Sequence, residues 1–294
     1  MIHTDTLAGI DIGSNAIRLI IKDVIPNEDF KHSFIKKRAY IRLPLRLGGD
    51  VFKYGEIRLE KEQKFIKALD IYKDLLNFYG VNEYLAVATS ATRSAVNGAE
   101  IITKIKEKTD IQIDVITGIV EAEMLSRTNK FDLPAGKIFV SVDLGGGSLQ
   151  LSVYNGEAVL QTFSFKIGTV RMINNLVETG EIKRMHETIK AIKQNYDSVD
   201  LIGAGGNINK ISKMADEKTL EFDDIENVHD KLKQLSVRRR MLKYNLRFDR
   251  ADVIVPAAEL YMNVMKQFGK NKIYIPKVGI ADALIYDLFH KRYG

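Results

Sequence analysis

Gly9-Ile10-Asp11-Ile12-Gly13-Ser14-Asn15 and Val142-Asp143-Leu144-Gly145-Gly146-Gly147-Ser148 are two copies of one pattern: an apolar strand, an aspartate, an apolar residue and a glycine turn. In the first copy the strand runs from Leu7 to Ile12, and the apolar run resumes at Ala16 and continues through Ile17, Leu19, Ile20 and Ile21. In the second, Lys137–Val142 reads as the strand that enters the turn and Leu149–Tyr154 as the strand that leaves it, with a further turn at Asn155-Gly156. Each copy reads as a hairpin wrapped around a small turn. Asp143 stands 132 residues after Asp11, about one domain length. A single Asp-Ile-Gly-Ser carries little weight, but a repeat at this spacing divides the chain into two halves that open alike.

Working outward, residues 59–79 place Phe65, Ile66, Leu69, Ile71, Tyr72, Leu75, Leu76 and Tyr79 at helical spacing on a charged background that ends at Gly80. Tyr84–Ala88 then reads as a buried strand, Ala95–Lys106 as a helix and Ile113–Ile116 as another strand. Strand and helix in alternation indicate an α/β domain. A turn-like break at Asp132–Gly136 separates the halves. Beyond the second hairpin the chain is mostly helical, around Lys183–Tyr196, Asp224–Leu235, Pro256–Phe268 and Ala281–Tyr293. It is interrupted by a strand and glycine turn at Val199–Gly206, followed by the helical Ile208–Met214.

With 294 residues, 45% of them hydrophobic, the chain suits two domains better than one. No run of about 18 uncharged apolar residues is present, so no membrane span is expected. The N-terminus lacks the basic and apolar regions of a secretory signal. The absence of cysteine excludes disulfides, thiolate metal sites and cysteine nucleophiles. A cytoplasmic protein is the simplest expectation. The net charge of +6, from 44 Lys and Arg against 38 Asp and Glu, favours polyanions near the surface without choosing among them.

Glycine turns let backbone amides converge on an anion because no side chain blocks the approach. Gly13-Ser14-Asn15 and Gly145-Gly146-Gly147-Ser148 are therefore candidate phosphate holders that face one another across a cleft. Asp11 and Asp143, at the strand ends that feed them, suit a hydrated magnesium ion, which keeps several waters and takes one or two carboxylates. The third turn, Gly203-Ala204-Gly205-Gly206, offers a phosphate the start of a helix. It does not match the dinucleotide fingerprint, because no later acidic residue completes a βαβ unit.

Taken in order, Gly9–Asn15, Ala88-Thr89-Ser90-Ala91-Thr92-Arg93, Gly118–Ala122 and Val142–Ser148 resemble the exopolyphosphatase / guanosine pentaphosphate phosphohydrolase family. The likeness extends through Arg46-Leu47-Gly48, Gly168-Thr169-Val170-Arg171, Gly203–Gly206 and Arg250-Ala251-Asp252 and spans nearly the whole chain. It implies the actin, Hsp70 and sugar-kinase superfold: an α/β protein of two actin-like (ribonuclease H-like) lobes with a phosphate-binding cleft between them. The expected lobes are residues 1–127, with the helix 281–294 packed on them, and residues 128–280. The resemblance implies magnesium-dependent hydrolysis of a terminal phosphoanhydride of inorganic polyphosphate or guanosine pentaphosphate, and a homodimer. No specific nucleic acid and no membrane are expected as partners. Glu121 matches the family glutamate that activates water, and Arg93 the arginine that pairs with a phosphate oxygen. The resemblance further implies that Asp143 holds the metal, with Asp11 acting directly or through water. Gln150, Gly205 and Gly206 stand behind these residues.

Three positions depart from the family pattern. Gln150 replaces a usual glutamate, which removes a charge from the metal site. Tandem glutamates are reduced to Val120-Glu121, and the C-terminal Gly279-Ile280-Ala281-Asp282-Ala283 lacks an arginine. The helical C-terminal domain of longer members has no counterpart. These departures define the alternative, a binding or regulatory protein that keeps the phosphate site without turnover. A third reading is an ATP-dependent kinase or ATPase of the same superfold. Arg238-Arg239-Arg240, with Lys243 and Arg247, reads either as a solvated helix face or as a grip for a polyanion tail. The five histidines lack metal-ligand spacing, and the Tyr and Phe residues fall at core positions.

Overall fold

The computed structural model describes residues 4–129, 136–155, 158–276 and 278–294. It divides into two compact units, one formed by residues 1–131 with 279–294 and the other by residues 132–278. The expected break at 132–136 and turn at 155–156 lie outside the described residues except for Gly136 and Asn155.

The first unit opens with β1 (Asp5–Ile12), which is buried at every residue. It pairs antiparallel with β2 (Ile17–Ile25), and β2 pairs antiparallel with β3 (Phe34–Leu43). After α1 (Leu47–Tyr54) and α2 (Leu59–Phe78) the chain returns as β4 (Glu83–Ala88), parallel to β1. Then come α3 (Ser90–Ser94), α4 (Gly98–Thr109), β5 (Asp114–Val115) parallel to β4, and α5 (Gly118–Asn129). The resulting sheet has the order β3-β2-β1-β4-β5. Ala8, Ile10 and Ile12 share one face of β1 and pack with Phe65, Leu69 and Tyr72 of α2. The helix expected from Ala95 begins at Gly98. Asn97 spends its side-chain amide on both main-chain groups of Ile57, which holds residues 95–97 out of the helix.

The second unit repeats this plan. Its β6 (Phe139–Leu144), β7 (Leu149–Tyr154) and β8 (Val159–Phe165) form an antiparallel meander. Helices α6 (Thr169–Ile173) and α7 (Glu181–Asn195) lead to β9 (Asp200–Ala204), parallel to β6. There follow α8 (Gly206–Ala215), β10 (Thr219–Glu221), α9 (Phe222–Lys233), α10 (Val237–Tyr244), α11 (Phe248–Ala251), α12 (Ile254–Phe268) and β11 (Lys272–Tyr274). The order β8-β7-β6-β9-β11 mirrors that of the first sheet, with β10 added at the edge. The repeat read from the glycine turns is thus a repeat of the whole sheet, and the topology is the actin-like, ribonuclease H-like one. Edge strands β3 and β8 were not expected from sequence. Their exposed Lys36, Lys37, Arg38, Leu160 and Gln161 interrupt the apolar alternation that marks half-buried strands. In α12, Pro256 sits in the first turn, where its missing N–H costs no helical hydrogen bond.

The last helix, α13 (Ile280–Tyr293), belongs to the first unit and covers the other face of β1. Leu7 packs with Ala281, Ile285, Leu288 and Phe289. Buried Asp5 accepts two hydrogen bonds from Arg292 and one from Tyr293, and Lys22 reaches Asp282 at 2.7 Å. Gly9 lets the helix lie flush on the strand: a methyl there would sit 2.5 Å from the Ala281 carbonyl oxygen and 3.1 Å from the Leu284 Cβ. Replacing a strand glycine by alanine ordinarily gains ~0.5–1 kcal/mol of backbone entropy. Overpacking against a backbone that cannot yield costs ~1–3 kcal/mol. Gly9→Ala is therefore expected to lower stability by ~1–2 kcal/mol, read as a lower urea midpoint at unchanged slope; an unchanged or raised midpoint would show that α13 gives way freely.

Candidate phosphate site

In the first unit the parallel strands β1, β4 and β5 end side by side, and the candidate residues lie just beyond those ends. Carboxyl ends of strands are where α/β sheets place ligands. The Thr89 amide donates to the Ile12 carbonyl, and the Ile116 amide donates to the Ala88 carbonyl. The first turn follows β1. Its Gly13 amide donates to Ala16 O at 3.1 Å. The carbonyls of Ser14 and Asn15 accept from the amides of Gly48 (2.9 Å) and Arg46 (3.0 Å). A trans peptide points its N–H opposite its C=O. Tying these two carbonyls back to the 46–48 segment therefore aims the amides of Asn15 and Ala16 away from it.

The second turn has the same construction. Gly145 N donates to Ser148 O at 2.9 Å, matching Gly13 and Ala16 at the 132-residue offset. The carbonyls of Gly145, Gly146 and Gly147 accept from Thr169 N, Val170 N and the Arg171 Nε, at 3.0, 2.8 and 2.9 Å. The amides of Gly146, Gly147 and Ser148 are thereby turned the other way, as a row of donors that suits an anion. Gly168 makes this buttress possible, since a methyl at that position would lie 2.3 Å from Gly146 O and Gly147 C. Burial pulls the Arg171 guanidinium below its ordinary pKa.

The two aspartates occupy equivalent positions with different neighbours. Asp11 lies opposite Arg18 in the β1–β2 register, and the two side chains form an ion pair in which the carboxylate is almost wholly buried. Asp143 lies opposite Gln150 and beside Ala204, and it is half-buried. The third turn presses on Asp143: a methyl at Gly205, which has φ 98°, would sit 3.0 Å from its Oδ1. Only glycine takes that backbone conformation freely and keeps that space open. Arg250 lies over Gly206 and donates to the Asn207 side chain. The second unit thus gathers Gly145–Ser148, Asp143, Gln150, Gly205 and Gly206.

The oxygen donors at Asp143 and Gln150, and the space that a Cβ on Gly205 would fill, fit a largely hydrated magnesium ion held by one carboxylate. Among the described residues no group of three or more His, Asp or Glu side chains is placed to hold a metal ion. Asp11, its charge already met by Arg18, suits contact through water.

Glu121 and Arg93 meet through the main chain. Arg93 in α3 donates to the Ile116 carbonyl, at the end of β5. The next residue, Thr117, accepts from the Glu121 amide at 3.0 Å and its hydroxyl accepts from the Val120 amide at 3.3 Å. Glu121 therefore stands half-buried in the first turn of α5, on a helix start that Arg93 steadies. The first unit brings together Asp11, Gly13, Ser14, Asn15, Arg93 and Glu121. Sequence reading missed Arg18 and the turn-bracing role of Arg46–Gly48 and Gly168–Arg171. The hairpin register would have exposed Arg18, since a tight turn sets it opposite Asp11.

A family model described as the Ppx/GppA phosphatase family matches residues 34–292. The chain belongs to that family. The match begins after the first glycine turn, so Asp11 and Gly13–Asn15 enter through the internal repeat. Exopolyphosphatase 2 of Mycobacterium tuberculosis is 26% identical over 96% of this chain and 98% of its own length. A bifunctional 3-dehydroquinate synthase/phosphatase of Fusobacterium nucleatum is 27% identical over 91% of this chain, which spans 44% of that protein. Exopolyphosphatase 1 of Mycobacterium leprae is matched over 48% of its length, so the chain spans less than half of two of these curated relatives. Among solved structures, an exopolyphosphatase from Cytophaga hutchinsonii superposes with a TM-score of 0.84 at 24% identity, covering 98% of both chains. The Aquifex aeolicus Ppx/GppA family member gives 0.78 at 23% identity, covering 99% of this chain and 100% of that one. Both likenesses concern the fold. No helix among the described residues is long and apolar enough to cross a membrane.

Proposed function

We propose that this Ppx/GppA family protein is a magnesium-dependent exopolyphosphatase that releases the terminal phosphate of inorganic polyphosphate, with guanosine pentaphosphate as a second substrate. The observation that carries the reading is the pair of glycine turns whose carbonyls are tied back and whose amides face away, one at each half of the repeat. Phosphoryl transfer asks chiefly for positioning and charge neutralisation, and such donors supply both. Glu121 is assigned as the general base: it takes a proton from water as the water oxygen bonds to the terminal phosphorus. The bridging P–O bond then breaks and its electron pair leaves on the next phosphate, giving orthophosphate and a chain one unit shorter. Arg93 is assigned to a phosphate oxygen. Asp143 would hold the magnesium ion, which neutralises charge on the phosphate oxygens when bound. A cytoplasmic homodimer belongs to the same reading.

Gln150 supports a second reading, a phosphate-chain-binding regulatory protein, because the side chain facing Asp143 across the hairpin carries no charge to help hold a cation. Orthophosphate release from polyphosphate and from guanosine pentaphosphate, with magnesium and with excess chelator, separates the two. The hydrolase reading expects release that magnesium supports and chelator abolishes. Tight polyphosphate binding with no release at any magnesium concentration overturns it in favour of the binding protein.

A further inference from the structure

From Lys231 to Phe248 the chain has seven Lys and Arg residues and no Asp or Glu. This segment ends α9, forms all of α10 and enters α11. Helix α10 buries none of its residues, and it has no acidic residue in its first turn. Arg238, Arg239 and Arg240 stand there instead, where the positive end of the helix disfavours cations. No carboxylate within the helix offsets them.

The cations do two different things. Arg240 is structural: its Nε donates to Leu232 O at 2.8 Å and its Nη1 to Ala251 O at 2.9 Å, which moors α10 to its neighbours. Lys233 meets Glu259 at 3.4 Å. Arg238, Arg239, Lys243 and Arg247 are exposed, and none of them reaches a carboxylate among the described residues. A moored helix therefore holds out three unneutralised cations, and Arg247, at the cap of α11, adds a fourth. They are continuous along the chain with Arg250, which lies over Gly206 beside the turn that presses on Asp143. Lys210 and Lys213 on α8 carry further positive charge near Arg250. Burial lowers the Lys210 pKa, and the like charges of Lys213 and Arg250 lower it further.

We propose that Arg238, Arg239, Lys243 and Arg247 form a tracking surface that holds the distal part of a long inorganic polyphosphate chain while its end is hydrolysed. The proposal rests on the exopolyphosphatase reading and extends it to chain-length preference. A line of flexible cations matches an unbroken line of phosphates by charge alone. Nucleic acid fits less well, because single strands are held by successive bases stacking on exposed rings. Here the rings are Phe248 and a half-buried Tyr244 lying against Lys243.

The test is the triple variant R238Q/R239Q/K243Q of the full chain, with Arg240 left in place. Binding of long-chain polyphosphate and of tripolyphosphate is measured by calorimetry over a range of salt, without magnesium. Losing three phosphate contacts is expected to lower long-chain affinity at least about tenfold and to flatten its log–log salt dependence by about two. Tripolyphosphate affinity is expected to stay unchanged. An unchanged long-chain affinity and slope overturns the proposal, as does an equal loss for both ligands. So does single-stranded RNA that displaces polyphosphate at lower phosphate concentration. If the triple variant melts early, the single Arg239→Gln is read in the same way, with a slope change of about 0.7. Failure of the wild type to release orthophosphate would overturn the hydrolase reading alone, since binding is scored without turnover.

Discussion

Glu121→Gln is expected to lower the rate of orthophosphate release by about 10²–10⁴-fold, the usual worth of a positioned general base. The amide keeps the size and shape of the carboxylate but cannot accept the proton of the attacking water. Geometry favours the assignment. Glu121 is set by a helix start that is fixed at three points: Thr117 O on its own amide, Thr117 Oγ1 on the Val120 amide, and Arg93 on the Ile116 carbonyl. Single-turnover phosphate release, with polyphosphate affinity measured in parallel, checks the role. A variant that keeps its rate removes Glu121 from the chemistry. One that loses rate and affinity together, with a lowered melting temperature, makes Glu121 a structural residue of α5.

Gly168→Ala carries the second large effect, and it acts without touching substrate. Its backbone angles suit any residue, since φ is −121°, so the obstacle is space alone. The new methyl would lie 2.3 Å from Gly146 O and Gly147 C and 2.4 Å from Gly146 C. All three are backbone atoms of the second turn, and no side chain can swing aside to make room. The turn must move, and with it the amides of Gly146, Gly147 and Ser148. A misplacement of about 1 Å costs roughly 10²-fold in rate. The overpacking adds about 1–3 kcal/mol of lost stability. Gly145→Ala is the matched control for stability, because its methyl would meet only Ser148 O, at an ordinary 3.5 Å. The expected result is a lowered Tm and a lost rate for Gly168→Ala beside an unchanged Tm for Gly145→Ala. Equal melting temperatures would mean that the buttress is not tight.

What the sequence made legible follows from what is local. The strand-Asp-apolar-Gly hairpins are written in consecutive residues, and their register, with Asp11 opposite Arg18 and Asp143 opposite Gln150, follows from a turn of fixed length. The central strands are apolar because helices cover both their faces, so β1 and β6 stand out. The edge strands β3 and β8 carry polar side chains and offer no such signal. The buttresses at 46–48 and 168–171 act through four main-chain amides and the Arg171 side chain, all more than twenty positions from the turns they brace, and no periodicity marks them. Glu121 lies in a helix start like many others; the family resemblance, rather than the pattern of charges, selected it. Arg93 is similar, since its link to the Glu121 helix passes through the carbonyl of Ile116.

The seat of α13 on β1 has a consequence for synthesis. β1 is buried at every residue, yet one of its faces is covered by a helix made about 270 residues after it. At about 5–20 residues per second the ribosome needs roughly 15–50 s to go from the first to the second. Throughout that interval Leu7, Ile20 and Val24 have no Ile285 or Phe289 to pack against. The second unit, contiguous in sequence, can complete its core as it emerges. The second unit can therefore complete before the first, and β1 is the strand most in need of a chaperone in the meantime.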